Sequence, residues 1–206
     1  MSISDGNAKI VSYSHENIVD RPCDEEAEMY EAFEGTMVSM FYYDKWYFVT
    51  SRCTDIDRSF FYDSKTSFGS MLDDCLQNMN MDRETFTNQC LMTNHVYSFV
   101  IVHHKNKYIR NYTDRFTTDY AKLVLVNERE CDTLTPCTLT LIENVVIPER
   151  ITDIDNRDCV IYLVRDNDRN TFKYYKQLSE DYKLLVKRKP NFSNVWYSYI
   201  QIYNNN

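Results

Sequence analysis

Two groups of residues in the 206-residue sequence carry side chains suited to metal, redox or nucleophilic chemistry: a histidine pair and the cysteines. The pair is His103-His104. Because adjacent residues of a strand point to opposite faces, we do not expect both rings to bind one metal. The cysteines lack any Cys-x-x-Cys pair of the kind that zinc and redox sites use, and stand at positions 23, 53, 75, 90, 131, 137 and 159. The pattern favours a reducing compartment, with no metal site and no preferred cysteine nucleophile.

Phosphate-binding chemistry is indicated only by the distribution of charge. The chain has three glycines and no Gly-rich phosphate loop, and its net charge of −8 argues against a general nucleic-acid coat. Residues 157–190 nevertheless hold nine basic and five acidic side chains, whereas residues 1–36 hold nine acidic and two basic ones. The basic segment would either face phosphates or be a solvated surface, and the acidic segment 1–30 would dock a protein partner.

Three blocks of sequence resemble a known family when taken in order. The first is EGTMVSMFYYDKWYFVTSR at 34–52, followed by Ser67-Phe68-Gly69; the second is YSFVIVHHKNKYI at 97–109, leading to KLVLVNER at 122–129; the third runs from KQLSEDY at 176–182 to KPN at 189–191. Together they resemble the nucleotidyltransferase domain of RNA ligases of the bacteriophage T4 type, a pattern that recurs in proteins of large DNA viruses. The resemblance implies an α+β fold, with antiparallel β-sheets and flanking helices in the nucleotidyltransferase architecture of ATP-grasp-like ligases and capping enzymes.

The nucleophile of that family is missing from this chain. In YEAFEGT at 30–36, Ala32 stands where the Lys-x-Asp-Gly signature has its lysine, and alanine has no amine to attack an α-phosphate. Glu34 replaces the aspartate that contacts the ribose; it would still bond a hydroxyl, or it would be a solvent-facing turn residue. Gly35 is kept and permits the turn.

The family's metal-binding carboxylates are also replaced. Ser98 aligns with one of them, and Arg157 or Asp158 with the other, while Leu178 replaces the second lysine of the closing motif. Those carboxylates serve the ribose and the divalent metal, so the resemblance implies that neither a metal nor another cofactor is bound.

Other ligand-holding positions are retained. The resemblance implies that Arg52 pairs with a phosphate in bidentate fashion and that Lys176, the first lysine of the closing motif, contacts a phosphate. Tyr120 falls near the position where the family stacks an aromatic ring on the base. The alternative is that Arg52 and Lys176 are exposed surface residues and Tyr120 is a core residue, without contact to a ligand.

The hydrophobic pattern predicts the elements that position these residues. We expect a hairpin over 36–50 with its turn at Tyr43-Asp44-Lys45, an amphipathic helix over 67–81 capped by Ser67, and a helix over 180–187. Strands are predicted at 96–102, 108–112, 122–126, 160–164, 171–175 and 195–203, with an apolar run at 138–147. In the first 30 residues, around Ile10-Val11 and Ile18-Val19, we expect one early strand and an acidic helix or loop. The absence of a repeat or linker predicts one domain over 1–206, with 1–30 as its acidic N-terminal segment.

The resemblance therefore implies a pseudoenzyme that binds a nucleotide or an RNA 5′ end. Because capping guanylyltransferases share the wider superfamily, an mRNA cap is the concrete case, and such a ligand needs aromatic side chains, which are abundant here. The alternative is a protein–protein interaction or structural module of a viral complex, without nucleotide binding. The least favoured alternative is an active RNA ligase that uses a displaced lysine such as Lys45. No apolar run approaches 18 residues and no leader opens the chain, so we expect neither a membrane span nor a signal peptide, but a soluble protein of the cytoplasm, the host's if the protein is viral.

Overall fold

A computed structural model describes residues 2–4, 7–10, 12, 28–60, 65–106, 109–133, 135–152, 159–166 and 171–188. In this part of the chain the fold is α+β with antiparallel strand pairs, as the sequence predicts. The helices are α1 (Phe68–Gln77), α2 (Arg83–Cys90) and α3 (Glu180–Arg188). The strands are β1 (Ser2–Ser4), β2 (Asn7–Lys9), β3 (Glu28–Glu31), β4 (Thr36–Tyr42), β5 (Trp46–Val49), β6 (His95–His103), β7 (Ala121–Glu130), β8 (Arg150–Ile151), β9 (Cys159–Asp166) and β10 (Thr171–Leu178).

The central sheet has the strand order β5-β4-β6-β7. Strands β4 and β5 form the hairpin predicted from their β-branched and aromatic residues, and its turn closes where the Tyr43 N–H donates to the Lys45 carbonyl at 3.0 Å. Strands β6 and β7 are long and almost entirely buried, with an irregularity in register between Ser98 and Phe99. Burial of both faces explains the apolar runs in β6 and in the first half of β7, whereas the second half of β7 buries the polar residues Asn127, Glu128 and Arg129.

Helices α1 and α2 pack on one face of the central sheet. The apolar positions of α1 recur every three or four residues, so one side of the helix is buried, and the Ser67 hydroxyl accepts from the Ser70 N–H at 3.1 Å as the predicted N-cap. The core beneath these helices joins side chains of all four strands to both helices, among them Met40, Leu72, Phe86 and Phe99.

The opposite face of the central sheet carries a smaller apolar cluster. Val100, Val102 and Val124 project from β6 and β7, and Tyr112 and Tyr120 cover them. Both tyrosines belong to the connection between β6 and β7, which lacks regular structure over residues 109–120. That connection therefore has a tertiary role and becomes one wall of the site described below.

A second sheet has the order β10-β9-β3-β8. Strands β9 and β10 form the hairpin predicted around 160–175, and β3 pairs with both β9 and β8. Helix α3 follows β10 directly, where the sequence predicts a helix over 180–187. The linker Ala32–Gly35 connects β3 of this sheet to β4 of the central sheet, so the motif that lacks its lysine lies at the passage between the two sheets.

Some predicted elements differ from the structure. The strand expected at 108–112 is wrong for residues 109–112, which form no strand. The apolar run at 138–147 forms a loop in which Val146 makes a single β-bridge with Val124. Helix α2 and strand β3 were not predicted. The strand expected at 195–203 lies outside the described residues, as do Val11 and Ile18-Val19, and Ile10 lies in no strand.

Candidate functional site

The side chain of Glu34 connects three parts of the structure. One carboxylate oxygen, Oε2, accepts from the backbone N–H groups of Ile109 at 2.8 Å and Arg110 at 2.6 Å. The other, Oε1, accepts from the Tyr182 hydroxyl of α3 at 2.6 Å. The Glu34 N–H in turn donates to the Tyr112 hydroxyl at 2.7 Å. The linker between the sheets is thereby joined to the β6–β7 connection and to α3.

Gly35 is required by a close approach between strands. A Cβ atom at this position would lie 2.3 Å from the Ile101 carbonyl oxygen and 2.7 Å from Val100 Cγ1, both on β6. No left-handed backbone angle is involved, so the reason for glycine is steric rather than the turn that the sequence suggests.

A cavity of about 320 Å³ lies beside the linker. This volume is at the small end of the range of about 300–1,000 Å³ typical of small-molecule sites. The β6–β7 connection and α3 form its walls, and its lining consists of Ile109, Arg110, Asn111, Tyr112, Asp114, Arg115, Tyr182 and Leu185. Four of these residues are the same groups that Glu34 holds, so the cavity and the linker form one cleft.

Two guanidinium groups bring positive charge to this cleft. That of Arg110 lies 5.1 Å from the centre of the Tyr112 ring. That of Arg115 lies 4.8 Å from the centre of the Phe33 ring and forms an ion pair with the buried carboxylate of Glu31. Both guanidinium groups therefore lie against aromatic rings in cation–π contact.

Tyr112 stays neutral across the physiological range. Burial raises the pKa of Tyr112 to about 12, with smaller opposing effects from the Glu34 N–H and from Arg110. Its hydroxyl therefore keeps its proton while it accepts from Glu34. Tyr182 likewise serves as a hydroxyl donor to Glu34. The cleft combines cationic, aromatic and hydroxyl groups, a combination suited to an oxyanion with an attached ring.

The structure brings only some of the predicted site residues together. Glu34 and Gly35 lie at the cleft. Tyr120 lies one layer behind it: its ring is 2 % exposed and packs 6.0 Å from the Tyr112 ring centre, so protein side chains cover the faces that would stack on a base. In this position Tyr120 supports Tyr112 rather than reaching a ligand.

Arg52 and Lys176 are not part of the cavity lining. Arg52 is exposed in the loop after β5, and no ion pair to it is found in the described part of the chain. Val49 pairs with Ser39, so this loop leaves the central sheet opposite the middle of β4. Lys176 is half-buried on the edge strand β10, opposite Ile161. Leu178, the replaced lysine, lies two residues further along that strand.

Of the positions where the family has its carboxylates, the described part of the chain includes only that of Ser98, which offers a hydroxyl and no carboxylate. Ser98 is buried in β6 between Ser39 and Asn127 on the neighbouring strands, and Arg157 and Asp158 lie outside the described residues. Across the described ranges, no group of three or more His, Cys, Asp or Glu side chains could hold a metal ion.

The histidine pair has a geometry that strand alternation does not predict. Strand β6 ends at His103 and the chain turns at His104, so the two rings stack with centres 4.4 Å apart rather than facing opposite ways. His103 Nδ1 accepts from the Lys105 N–H at 3.1 Å, which assigns the proton to Nε2, 3.1 Å from Asp74 Oδ2. Both nitrogens of His103 are thus engaged in structural contacts.

The cleft residues that sequence reasoning missed are Arg110, Tyr112, Arg115 and Tyr182. A signal for them exists, since residues 103–116 contain Lys105, Lys107, Arg110 and Arg115 interleaved with Tyr108, Tyr112 and Phe116. Basic residues alternating with aromatic ones are typical of surfaces that contact single-stranded nucleic acid.

No protein-family model matches the chain, and no curated protein is significantly similar to it. None of the helices in the described part is long and apolar enough to cross a bilayer. The resemblance to RNA ligases therefore rests on the three blocks of residues and stays a prediction.

Proposed function

We propose that the protein binds a nucleotide or an RNA 5′ end in the cleft between the β6–β7 connection and α3, and that it does so without catalysis. The observation that carries the proposal is the cavity lined by Arg110, Arg115, Tyr112 and Tyr182 directly beside the linker Ala32–Gly35. A cavity with these groups at that linker is what a ligand-holding remnant of a nucleotidyltransferase would retain.

The chemistry of the lining favours a phosphate group attached to a ring. Guanidinium groups present N–H donors in a planar fork that matches phosphate oxygens, and tyrosine rings and guanidinium planes both stack on bases. An mRNA cap combines a charged base with a chain of phosphates, so it remains a concrete ligand within the proposal.

The nucleotidyltransferase architecture belongs to the same proposal. In its support, the first block of resemblance covers β4 and β5, the second covers β6 and leads into β7, and the third begins in β10 and continues into α3. The absence of catalysis is supported by Ala32, which has no amine, and by Ser98 in place of a carboxylate.

Titration with a cap analogue, GTP, ATP and a short 5′-phosphorylated RNA tests the proposal. We expect saturable binding to at least one of them, weakened about tenfold or more by Arg110→Ala together with Arg115→Ala, because charged hydrogen bonds contribute about 1.5–3 kcal/mol each. Lys45→Ala is the control for the loss of positive charge, since Lys45 is exposed at the tip of the β4–β5 hairpin. Circular dichroism would verify that each variant is folded.

Three results would contradict the proposal. Failure to bind any of these ligands at millimolar concentration would remove its basis, and an equal loss of affinity in Lys45→Ala would place the ligand elsewhere. Radiolabelled nucleotide retained on the denatured protein would contradict the absence of catalysis, since it would show that another lysine forms the covalent bond.

The second candidate is a protein–protein interaction module. The specific observation in its favour is that polar groups of the cleft are already engaged by the chain itself: Glu34 by three donors, and Arg115 by Glu31. Capture of a defined protein partner that persists after Arg110→Ala and Arg115→Ala, together with no nucleotide binding, would favour this function.

A further inference from the structure

Three hydrogen-bond donors of the cleft converge on a single carboxylate. They are the N–H groups of Ile109 and Arg110, which are consecutive along the chain, and the hydroxyl of Tyr182. The donor–acceptor distances lie between 2.6 and 2.8 Å, which is the short range of hydrogen bonds to an ionised acceptor. The acceptor is the side chain of Glu34.

These donors form an arrangement that suits an oxyanion of any origin. Successive backbone N–H groups that point to one side of a loop make a concave site for anions. The same residues line the cavity, where the guanidinium groups of Arg110 and Arg115 add positive charge. Glu31 pairs with Arg115 and Asp114 also lines the cavity, so the preference for phosphate rests on its additional acceptor oxygens, which can bond the N–H donors and a guanidinium group together.

We propose that the N–H groups of Ile109 and Arg110 and the hydroxyl of Tyr182 are a phosphate-binding site, and that the side chain of Glu34 occupies it as an internal competitor. A ligand's phosphate group binds there when Glu34 swings away. The inference deepens the proposed function, on which it rests for the source of the phosphate. It assigns Glu34 a regulatory role, in contrast to the ribose contact that the sequence suggests.

Competition by the Glu34 side chain lowers the measurable affinity for phosphate. An attached side chain is present at a high effective concentration, so it lowers the apparent affinity of any ligand that needs the same donors. The net value of hydrogen bonds to a charged group corresponds to about tenfold in affinity or more. Removal of Glu34 should therefore tighten phosphate binding by about that factor.

Inorganic phosphate is the probe for the test. We expect Glu34→Ala to bind phosphate about tenfold more tightly than the natural chain, with saturable shifts of the Ile109 and Arg110 amide signals in ¹H–¹⁵N spectra. The matched control is Glu143→Ala, which removes one negative charge from an exposed position in another loop. Addition of Tyr182→Phe to Glu34→Ala should weaken binding severalfold, because one donor is lost.

A second variant keeps the test decisive if Glu34→Ala does not fold. Glu34→Gln retains the shape of the side chain but bonds more weakly as a neutral acceptor, so we expect a gain of roughly threefold, half of the full effect in free energy. Unchanged affinity in the folded Glu34 variants, or an equal gain in Glu143→Ala, would overturn the inference.

Failure of this inference and failure of the proposed function give different results. Phosphate binding by Glu34→Ala with the expected amide shifts, but no binding of nucleotide or RNA by any variant, would support the anion site and contradict the proposed function. Nucleotide binding by the natural chain that Glu34→Ala does not tighten would support the proposed function and contradict competition by Glu34.

Discussion

At two positions of the cleft, contacts with distant parts of the chain explain the residue type. Gly35 looks like a turn residue in the sequence, but its missing Cβ makes room for the Ile101 carbonyl of β6. Glu34 looks like a weakened ribose contact, but its donors come from residues 75, 76 and 148 positions further along the chain. Residue type alone could identify both positions as special. It could not explain why glycine and glutamate stand there, because the explanation lies in the residues that they contact in the folded chain.

The titration of His103 is the prediction that belongs to this scale. Burial lowers the pKa of His103 below its ordinary value of 6.5, while the carboxylate of Asp74 opposes the shift and His104 and Lys105 add to it. We expect its imidazole signals to titrate below 6.5 in NMR spectra, and Asp74→Asn to lower the midpoint further.

The same shift fixes the sign of a stability change. The unfolded chain binds the proton at a higher pH than the folded protein does, so the contribution of His103 is present above about pH 6.5 and is lost as the pH falls through the folded-state pKa. His103→Gln should therefore reduce the slope of unfolding free energy against pH in urea titrations. A His103 midpoint at or above 6.5 would contradict the prediction.

At the scale of the elements, the hydrophobic pattern predicted those helices and strands that bury either one face or both faces. The β4–β5 hairpin, α1 and β6 have an apolar pattern that their packing explains, and the β9–β10 hairpin forms where its strands were predicted. Helix α2 was missed because it buries only Phe86 and Thr87, so its sequence lacks an apolar stripe. Residues 109–112 have strand-like composition, but the N–H groups of Ile109 and Arg110 bond to Glu34 instead of a neighbouring strand.

Arg83 provides the prediction at this scale, because it connects α2 to two other segments. Its guanidinium group forms paired hydrogen bonds with Asp57 at 2.7 and 2.8 Å and with Asp73 of α1 at 2.6 and 3.0 Å. Gly69 of α1 permits this arrangement, since a Cβ there would lie 1.8 Å from Asp57 Oδ1.

Arg83→Lys should lower the free energy of unfolding by about 1 kcal/mol, because lysine cannot form the planar paired contacts and both aspartates are partly exposed to screening. Urea denaturation measures the change, and Arg58→Lys at an exposed neighbouring position is the control. Equal effects of the two substitutions would show that the paired geometry has no energetic value.

For the molecule as a whole, the cleft is assembled from parts that no local window contains. The linker comes from between β3 and β4, one wall from the β6–β7 connection and the other from α3. The sequence resemblance located the linker and included Tyr182 in its third block, but it gave no indication that Tyr182 meets Glu34. Long-range convergence of this kind depends on the packing of both sheets, which is why Arg52 and Lys176 were favoured over Arg110 and Arg115.

The contact between α3 and the linker gives the prediction at the scale of the whole molecule. The Tyr182 hydroxyl holds α3 to the linker, and the next leucines of the helix, Leu184 and Leu185, are about half exposed. Tyr182→Phe removes that hydrogen bond while keeping the ring. We expect amide hydrogen exchange in α3 to accelerate by roughly fivefold, corresponding to about 1 kcal/mol of local stability, while exchange in β6 is unchanged.

A matched substitution separates this effect from a general loss of stability. Tyr47→Phe removes a hydroxyl that bonds Asp44 at 2.9 Å on the exposed β4–β5 hairpin, far along the chain from α3. It should leave exchange in α3 unaltered. Uniform acceleration in α3 and β6 after Tyr182→Phe would mean that the hydrogen bond stabilises the whole fold, and no acceleration would mean that other contacts hold α3. Selective acceleration would identify α3 as the wall of the cleft that can open when Glu34 releases its donors.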